Sequence, residues 1–210
     1  MPHSNDPDII CFKHCGNDIF MFSVPNRCPL CNGNLEQCRE FLPFTLPYPF
    51  ISATESPCSV ILRPSRGDFL RDFHNRINLH IALTDSRGSI VEFDSPGLMY
   101  TASKNVDKSL WKQCLLIAKV PESWFGEWDR QIYHVARERG WDQMKYDEQT
   151  LNCYSFVLDF VRLLRYDSLT ANDSNEFCTK YVLPKTVLAA KYITIFRRIE
   201  EHGMWKEHHR

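Results

Sequence analysis

A single cysteine, Cys153, stands at the predicted start of an amphipathic helix and directly follows Asn152. The helix is indicated by apolar or aromatic residues that share one helical face with it, namely Phe156, Val157, Phe160, Val161 and Leu164. A thiol in the first turn of a helix lies beside unpaired N–H groups and the positive end of the helix dipole, and both favour its thiolate. The sequence therefore predicts a candidate nucleophile at Cys153.

A histidine and two acids lie upstream, on a predicted β-hairpin whose strands cover residues 78–84 and 88–94. A catalytic thiol needs a base within about 3 Å and a third polar group that orients this base. His80 is the candidate base, because its strand neighbours Leu79 and Ile81 point to the opposite face. Glu92 is the candidate orienting group, which could accept the Nδ1 proton, and Asp94 competes for this role. Together with Cys153, these residue types make up a cysteine–histidine hydrolase site.

Each of these residues also has a purely structural interpretation. A free cysteine is among the most buried residue types, so Cys153 can be an inert core residue. A histidine on a strand is usually satisfied by its neighbours. Taken one at a time, the structural interpretations are the more common ones.

A second group of cysteines lies near the N-terminus. Cys28 and Cys31 have the C-x2-C spacing with which two thiolates bind one tetrahedral Zn²⁺ from a tight turn. Cys15 precedes them at a distance that suits a zinc-ribbon hairpin. The fourth ligand is open between His14 and Cys11. The spacing predicts a structural zinc site, with unligated thiols or a redox pair as the alternatives.

The composition narrows the class of protein. The formal charge of −1 gives no general attraction to nucleic acid or to anionic membranes. No apolar run reaches the roughly 18 residues that span a bilayer, and the polar N-terminus does not resemble a signal peptide. The nine cysteines are an odd number without an export signal, which favours free or metal-bound thiols in a reducing compartment. We expect a cytoplasmic or nuclear protein with no membrane span.

The order of elements predicts an α+β fold in which helices pack on one side of an antiparallel sheet. A polar tail covers residues 1–8, a zinc-knuckle-like unit 9–35, and a proline-rich connector 36–57. The main domain is predicted to cover residues 58–210. Its further elements are a strand within 112–120, a helix that Gly140 ends, the Cys153 helix and a last helix over 186–201.

Two motifs carry a resemblance to known thiol hydrolases. The strand His80-Ile-Ala-Leu is followed by Ile90-Val-Glu92-Phe and, much later, by Asn152-Cys153-Tyr-Ser-Phe-Val. This order resembles the circularly permuted papain-like fold of the lecithin–retinol-acyltransferase-like and NlpC/P60-like families. The resemblance implies that Cys153 is the nucleophile, His80 the base and Glu92 the orienting group. Members that transfer acyl groups to lipids typically carry a histidine where this chain has Glu92, so thiol peptidase chemistry is the closer expectation.

The register of the hairpin decides whether His80 can meet Glu92. A symmetrical two-residue turn would pair His80 with Phe93 and leave both acids diagonal to it. A one-residue shift at Gly88 would instead place Glu92 directly across from His80, on the same face. We predict the shifted register, because the resembling families have a second polar residue at the same spacing after their histidine.

A further set of short motifs is spread along nearly the full length of the chain. They are His14-Cys15, Phe22-Ser-Val-Pro25, Cys28-Pro-Leu-Cys31, Leu62-Arg-Pro64, Phe69-Leu-Arg71, Asn152-Cys-Tyr-Ser155, Lys180-Tyr-Val182 and Glu201-His-Gly203. In these motifs the chain resembles a vertebrate protein family, and this resemblance implies no particular activity.

Two functional hypotheses follow. The first is an intracellular interaction protein, non-catalytic or regulatory, that uses a papain-like scaffold to bind an unidentified protein partner. The second is a cysteine hydrolase that cleaves an isopeptide, peptide or thioester bond with Cys153 and His80.

Overall fold

The computed structural model describes residues 6–37, 42–74 and 76–208, and Cys38 lies outside these ranges. The described chain is mixed α+β with antiparallel sheets, which confirms the predicted class at that level. Its strands are β1 (Ile10–His14), β2 (Asn17–Met21), β3 (Phe44–Thr45), β4 (Phe50–Ile51), β5 (Ser59–Pro64), β6 (Leu79–Thr84), β7 (Ile90–Asp94), β8 (Gly97–Thr101), β9 (Cys114–Lys119) and β10 (Trp205–His208). Its α-helices are α1 (Lys108–Trp111), α2 (Phe125–Tyr133), α3 (Cys153–Leu164), α4 (Ser174–Phe177) and α5 (Leu183–His202).

The chain forms two compact units, one made of Met1–Pro49 with Ala190–Arg210 and the other of Phe50–Ala189. The first unit contains a four-stranded antiparallel sheet in the order β10-β2-β1-β3. Its small core is built from Phe12, Ile19, Cys28 and Leu35, all buried.

The last strand, β10, follows a helix end at Gly203 and had no counterpart in the sequence prediction. Gly203 takes a left-handed conformation with φ 76° and donates its N–H to the Ile199 carbonyl, which ends α5. Four residues then pair with β2, from Trp205 opposite Phe20 onward. The residues from Ala190 therefore belong with the N-terminal sheet, whereas the sequence analysis assigned them to the main domain.

The second unit contains a six-stranded antiparallel sheet in the order β4-β9-β5-β6-β7-β8. The predicted strands at its centre are confirmed as β5, β6, β7 and β9. Two strands of this sheet were not predicted, namely β8 and the short β4 in the proline-rich stretch.

One face of this sheet carries a closed apolar cluster. Ile61, Ala82 and Ile90 come from three neighbouring strands and pack with Trp111 of α1. Each of these side chains is at most 5% exposed, so this face is fully covered where they lie.

Helix α3 contacts β6, β7 and α2. Its apolar face is tied to the sheet by aromatic pairs, since Phe156 lies 6.4 Å from Phe93 between ring centroids. Trp128 of α2 packs edge-on against Phe160 at 4.7 Å and donates its indole N–H to the Thr84 carbonyl at 2.8 Å. These contacts fix α3 against the sheet and therefore fix Cys153, the first residue of α3.

Two π-helical segments, His134–Glu138 and Cys178–Val182, adjoin the helices of this unit. The first continues α2, and the chain then turns at Gly140, which has φ 76°. Gly140 is thus confirmed as the end of this helical region. The second segment joins α4 to α5, so the last helical stretch is longer than the predicted 186–201.

Candidate active site and metal centre

The hairpin between β6 and β7 has a different register from the predicted one. Leu83 pairs with Val91 and Thr84 with Ile90, so the same register continued along the strands sets Asp94, not Glu92, across from His80. The predicted direct pairing of His80 with Glu92 is wrong. The physical reason is a three-residue loop, in which Gly88 takes the left-handed conformation with φ 74° and Asp85 pairs with Ser89.

His80 and Glu92 nevertheless meet, because they lie on the same face of neighbouring strands. The His80 Nε2 atom lies 2.8 Å from Glu92 Oε2, and both residues are buried, at 4% and 7% exposed. The bond is thus made by Nε2, whereas the sequence analysis expected the acid at Nδ1. The other ring nitrogen, Nδ1, lies 4.0 Å from Asp94 Oδ2.

An aromatic side chain packs beside the His80 imidazole. Trp111 meets the His80 ring edge-on at 6.2 Å, and the Arg63 guanidinium lies 4.5 Å from the Trp111 ring centre. Arg63 is itself paired with His80 across β5 and β6. The sequence analysis missed both residues, although Arg63 lies on a predicted strand.

The start of α3 is fixed by a capping box. The Asn152 side-chain oxygen accepts N–H bonds from Tyr154 and Ser155 at 3.0 and 3.2 Å, and the Ser155 hydroxyl accepts the Asn152 N–H at 2.7 Å. Cys153 is therefore the first residue of the helix, as the sequence predicts. Its side chain lies within the field of the helix N-terminus.

His80 and Glu92 are in direct contact, and Cys153 lines the same cleft as His80. Burial by itself lowers the pKa of His80, but interactions with Cys153 and Glu92 outweigh it and raise that pKa to about 9. Nε2 is engaged by Glu92, and Nδ1 is the ring nitrogen on the side of Asp94. The raised pKa favours the charged imidazolium, which lies beside the Glu92 carboxylate.

Cys153 and His80 both line a cleft of about 800 Å³ at the end of the sheet where β6 begins and β7 ends. Its lining includes two cations, Arg66 and Arg76, and two acids, Asp94 and Glu148. Tyr146 also lines the cleft, where burial and the nearby Cys153 and Asp94 raise the pKa of its phenol to about 12. Sequence analysis did not find these wall residues, because they come from loops without a recognisable motif.

The cysteines of the N-terminal unit converge with one histidine. The ligand atoms of His14, Cys15, Cys28 and Cys31 all lie within 4.8 Å of one another. The Cys15 and Cys28 sulfurs are 4.0 Å apart, close to the roughly 3.8 Å that follows from tetrahedral Zn–S bonds of about 2.3 Å. Cys15 and Gly16 form the tight turn of the β1–β2 hairpin with φ 52° and 71°, which presents His14 and Cys15 to the knuckle.

Backbone N–H groups support the two knuckle thiols. Leu30 N donates to Cys28 Sγ and Gly33 N donates to Cys31 Sγ, both at 3.4 Å. Hydrogen bonds from Cys15 and from the Gly33 backbone lower the pKa of Cys31. Donors aimed at sulfur stabilise thiolates, so this donor set fits a soft, tetrahedral metal ion such as zinc.

Cys11, the alternative fourth ligand, lies apart from this cluster. It is 2% exposed within β1, and burial raises the pKa of its thiol to about 11. Among the described residues, His14 is the one that completes the four-residue group.

Comparisons with known proteins agree with a full-length family resemblance. Two family models match, one described as DUF4796 N-terminal over residues 7–35 and one as DUF4796 C-terminal over 43–199. The human MKRN2 opposite strand protein is 33% identical over 202 residues, which cover 94% of this chain and 88% of that protein. No solved structure matches. Within the described residues, no helix has the length and apolar character to cross a membrane.

Proposed function

The chain belongs to the DUF4796 family, and from the geometry of its cleft we propose that it is a cysteine hydrolase of amide or thioester bonds. The observation that carries this proposal is the buried His80, which is hydrogen-bonded to Glu92 and lines one cleft together with Cys153. In this proposal Cys153 is the nucleophile, His80 the acid and base, and Glu92 the residue that orients His80.

The first half of the reaction forms an acyl-enzyme. The Cys153 thiolate attacks the carbonyl carbon of the substrate, and a sulfur–carbon bond replaces the bond to the leaving amine or thiol. The imidazolium of His80 donates its Nδ1 proton to this leaving group. Glu92 keeps the ring in place through Nε2 and stabilises its positive charge.

The second half releases the acyl group. The imidazole of His80, now neutral, takes a proton from a water molecule, whose oxygen attacks the thioester carbon. The sulfur–carbon bond breaks, and the products are a carboxylic acid and the regenerated pair of Cys153 and imidazolium. No oxidant or further reactant is needed.

The proposal includes a permuted papain-like arrangement for the main unit. The support is the chain order, in which a histidine strand precedes the acid strand and a helix that starts with the cysteine comes last. The antiparallel sheet and the contacts of α3 with β6 and β7 are compatible with that arrangement.

A structural zinc ion belongs to the proposal for the N-terminal unit. His14, Cys15, Cys28 and Cys31 would hold it, and its binding would stabilise a sheet with only a small core. Its four ligands are all protein side chains, so the role we assign to it is structural rather than catalytic. Ligating thiols need a reducing compartment, and on this ground we expect the cytosol or nucleus.

One observation favours a second candidate function, a non-catalytic protein that binds a protein partner in the same cleft. Cys153 is only 5% exposed, so its sulfur offers little surface to a substrate carbonyl. In this alternative the cleft binds a peptide but the thiol does not react.

The experiment that separates the two functions is labelling with a cysteine-directed peptide vinyl sulfone, followed by mass spectrometry. The hydrolase proposal predicts stoichiometric modification of Cys153 in the native protein, no modification in Cys153→Ser, and labelling at least tenfold slower in His80→Gln. The buried Cys58 serves as an internal control that should stay unlabelled while the protein is folded. Labelling of Cys153 only after denaturation would support the binding protein instead.

A further inference from the structure

The charged residues that line the cleft come from different parts of the sheet. Arg66 follows β5 and Arg76 precedes β6, so both cations belong to the β5–β6 connection. Asp94 ends β7, on the other side of β6 in the sheet, and Glu148 lies in the loop before α3. His80 lies near the start of β6, between the strand that Arg66 follows and the strand that Asp94 ends.

These charges are available to a ligand. Both arginines are exposed, and within the described part of the chain neither guanidinium has an ion-pair partner. The Asp94 side chain is 40% exposed and lies 4.0 Å from His80 Nδ1. Two cations and two acids that line one cleft favour a ligand that carries charges of both signs, because each charge then has a partner of opposite sign.

The position of Asp94 decides in which direction the substrate lies in the cleft. His80 protonates the leaving group from Nδ1, because Nε2 is held by Glu92. Since Asp94 is the carboxylate beside Nδ1, the leaving group must lie on the side of Asp94. The acyl part of the substrate then extends toward the side that carries Arg66 and Arg76.

We infer that the substrate is a polypeptide amide whose acyl side carries an acidic residue and whose leaving side carries a lysine. Arg66 and Arg76 bind the acidic residue, while Asp94 and Glu148 bind the cationic side chain or the released amine. This inference rests on the proposed function for the direction of cleavage, but the charge pattern of binding can be tested without turnover.

Four quenched fluorogenic peptides test the inference. The four peptides have the same apolar residues around the scissile bond and carry one charged residue two positions from it on each side. The acyl side carries either Glu or Lys, the leaving side carries either Lys or Glu, and the four peptides are the four combinations. We expect the highest kcat/KM for Glu on the acyl side with Lys on the leaving side. The kcat/KM of the fully reversed peptide should be lower by a factor of roughly three to ten or more. This difference in kcat/KM should shrink in high salt.

A double variant should reverse the charge preference on the acyl side. Arg66→Glu combined with Arg76→Glu should switch the acyl-side preference from Glu to Lys without changing the leaving-side preference. The matched control is Arg71→Glu, because Arg71 lies in the same loop region, pairs with Asp68 and does not line the cleft. It should leave the order of the four peptides unchanged.

Binding of the same peptides to Cys153→Ser is measured by fluorescence anisotropy. This measurement separates the proposed hydrolase activity from the inferred charge preference of the cleft. Charge-selective binding without turnover in the native protein would sustain the inferred charge preference and overturn the hydrolase. Turnover without charge preference would sustain the hydrolase and overturn the inference. If none of the peptides binds with charge preference at low salt, the inferred charge preference is wrong.

Discussion

The His80 imidazole and the Glu92 carboxylate are joined by a 2.8 Å hydrogen bond along a diagonal of the β6–β7 pair. Diagonal neighbours on one face lie roughly 7–8 Å apart at the backbone, within reach of long side chains. Glutamate has this reach, and its bond uses Nε2. The bond therefore leaves Nδ1 outside the Glu92 contact, on the side of Asp94, and the proposed chemistry uses this nitrogen.

Replacing Glu92 by Gln should lower the pKa of His80 from about 9 toward its ordinary value of 6.5. Gln keeps the length of the side chain but loses the negative charge that stabilises the imidazolium. The titration of the His80 Cε1 proton by NMR measures this directly. Asp94→Asn is the matched control and should have a smaller effect, since Asp94 lies farther away and is more exposed. Equal shifts in the two variants would contradict the role of Glu92.

The raised pKa of His80 also predicts how stability depends on pH. The folded protein binds this proton more tightly than the unfolded chain, so the stabilisation is fully present below pH 6.5 and is lost as the pH rises through about 9. The loss should be on the order of 3 kcal/mol in the free energy of unfolding. Urea unfolding at pH 6 and pH 9.5 measures it.

The control for this pH dependence is His80→Gln, which removes the titrating group. Only the difference between the native protein and the variant is used, because other groups titrate equally in both. A difference in unfolding free energy that stays constant between the two pH values would show that His80 does not have a raised pKa.

The N-terminal unit should contain one zinc ion per chain. Removing zinc with a chelator should unfold this unit, because its small core is insufficient without the metal. Cys31→Ser should lower the bound zinc substantially, whereas Cys11→Ala should keep the full stoichiometry, since Cys11 lies outside the ligand group. Elemental analysis with circular dichroism checks both. Zinc loss in Cys11→Ala but not in His14→Ala would assign the fourth ligand to Cys11.

Removing the N-terminal cap of α3 should lower the free energy of unfolding. Asn152→Ala deletes the side-chain oxygen that accepts two N–H groups, at a cost of about 1 kcal/mol in the free energy of unfolding. Asn152→Ser should restore most of this, because serine is also a good N-cap. Chemical denaturation of the three proteins gives the comparison. If alanine and serine cost the same, the cap does not hold the helix start.

The parts of the fold that have strong local sequence patterns can be predicted from the sequence. The alternating strands around His80 and Glu92, and the helix that starts at Cys153, follow from period and capping chemistry. The C-x2-C knuckle likewise predicts where the N-terminal cysteines meet. These features depend on neighbours in sequence, so one chain is enough to find them.

Other features depend on contacts that sequence does not record. The hairpin register depends on a three-residue loop, whose last residue, Gly88, adopts the left-handed conformation typical of such loops. The strand β10 is too short to show a period, and its partner lies at the other end of the chain. The cleft walls at Arg66 and Arg76 come from loops that only the folded sheet brings beside Cys153.

The central claim is that Cys153 reacts because His80 activates it. Its most direct test is the site-resolved rate at which a small peptide thioester acylates each cysteine in the native protein, measured by rapid quench and peptide mapping. We predict that Cys153 is acylated fastest and then releases the acyl group to water, and that His80→Gln slows both steps at least tenfold. If Cys153 is acylated no faster than Cys178, or at a rate that His80→Gln leaves unchanged, His80 does not activate Cys153.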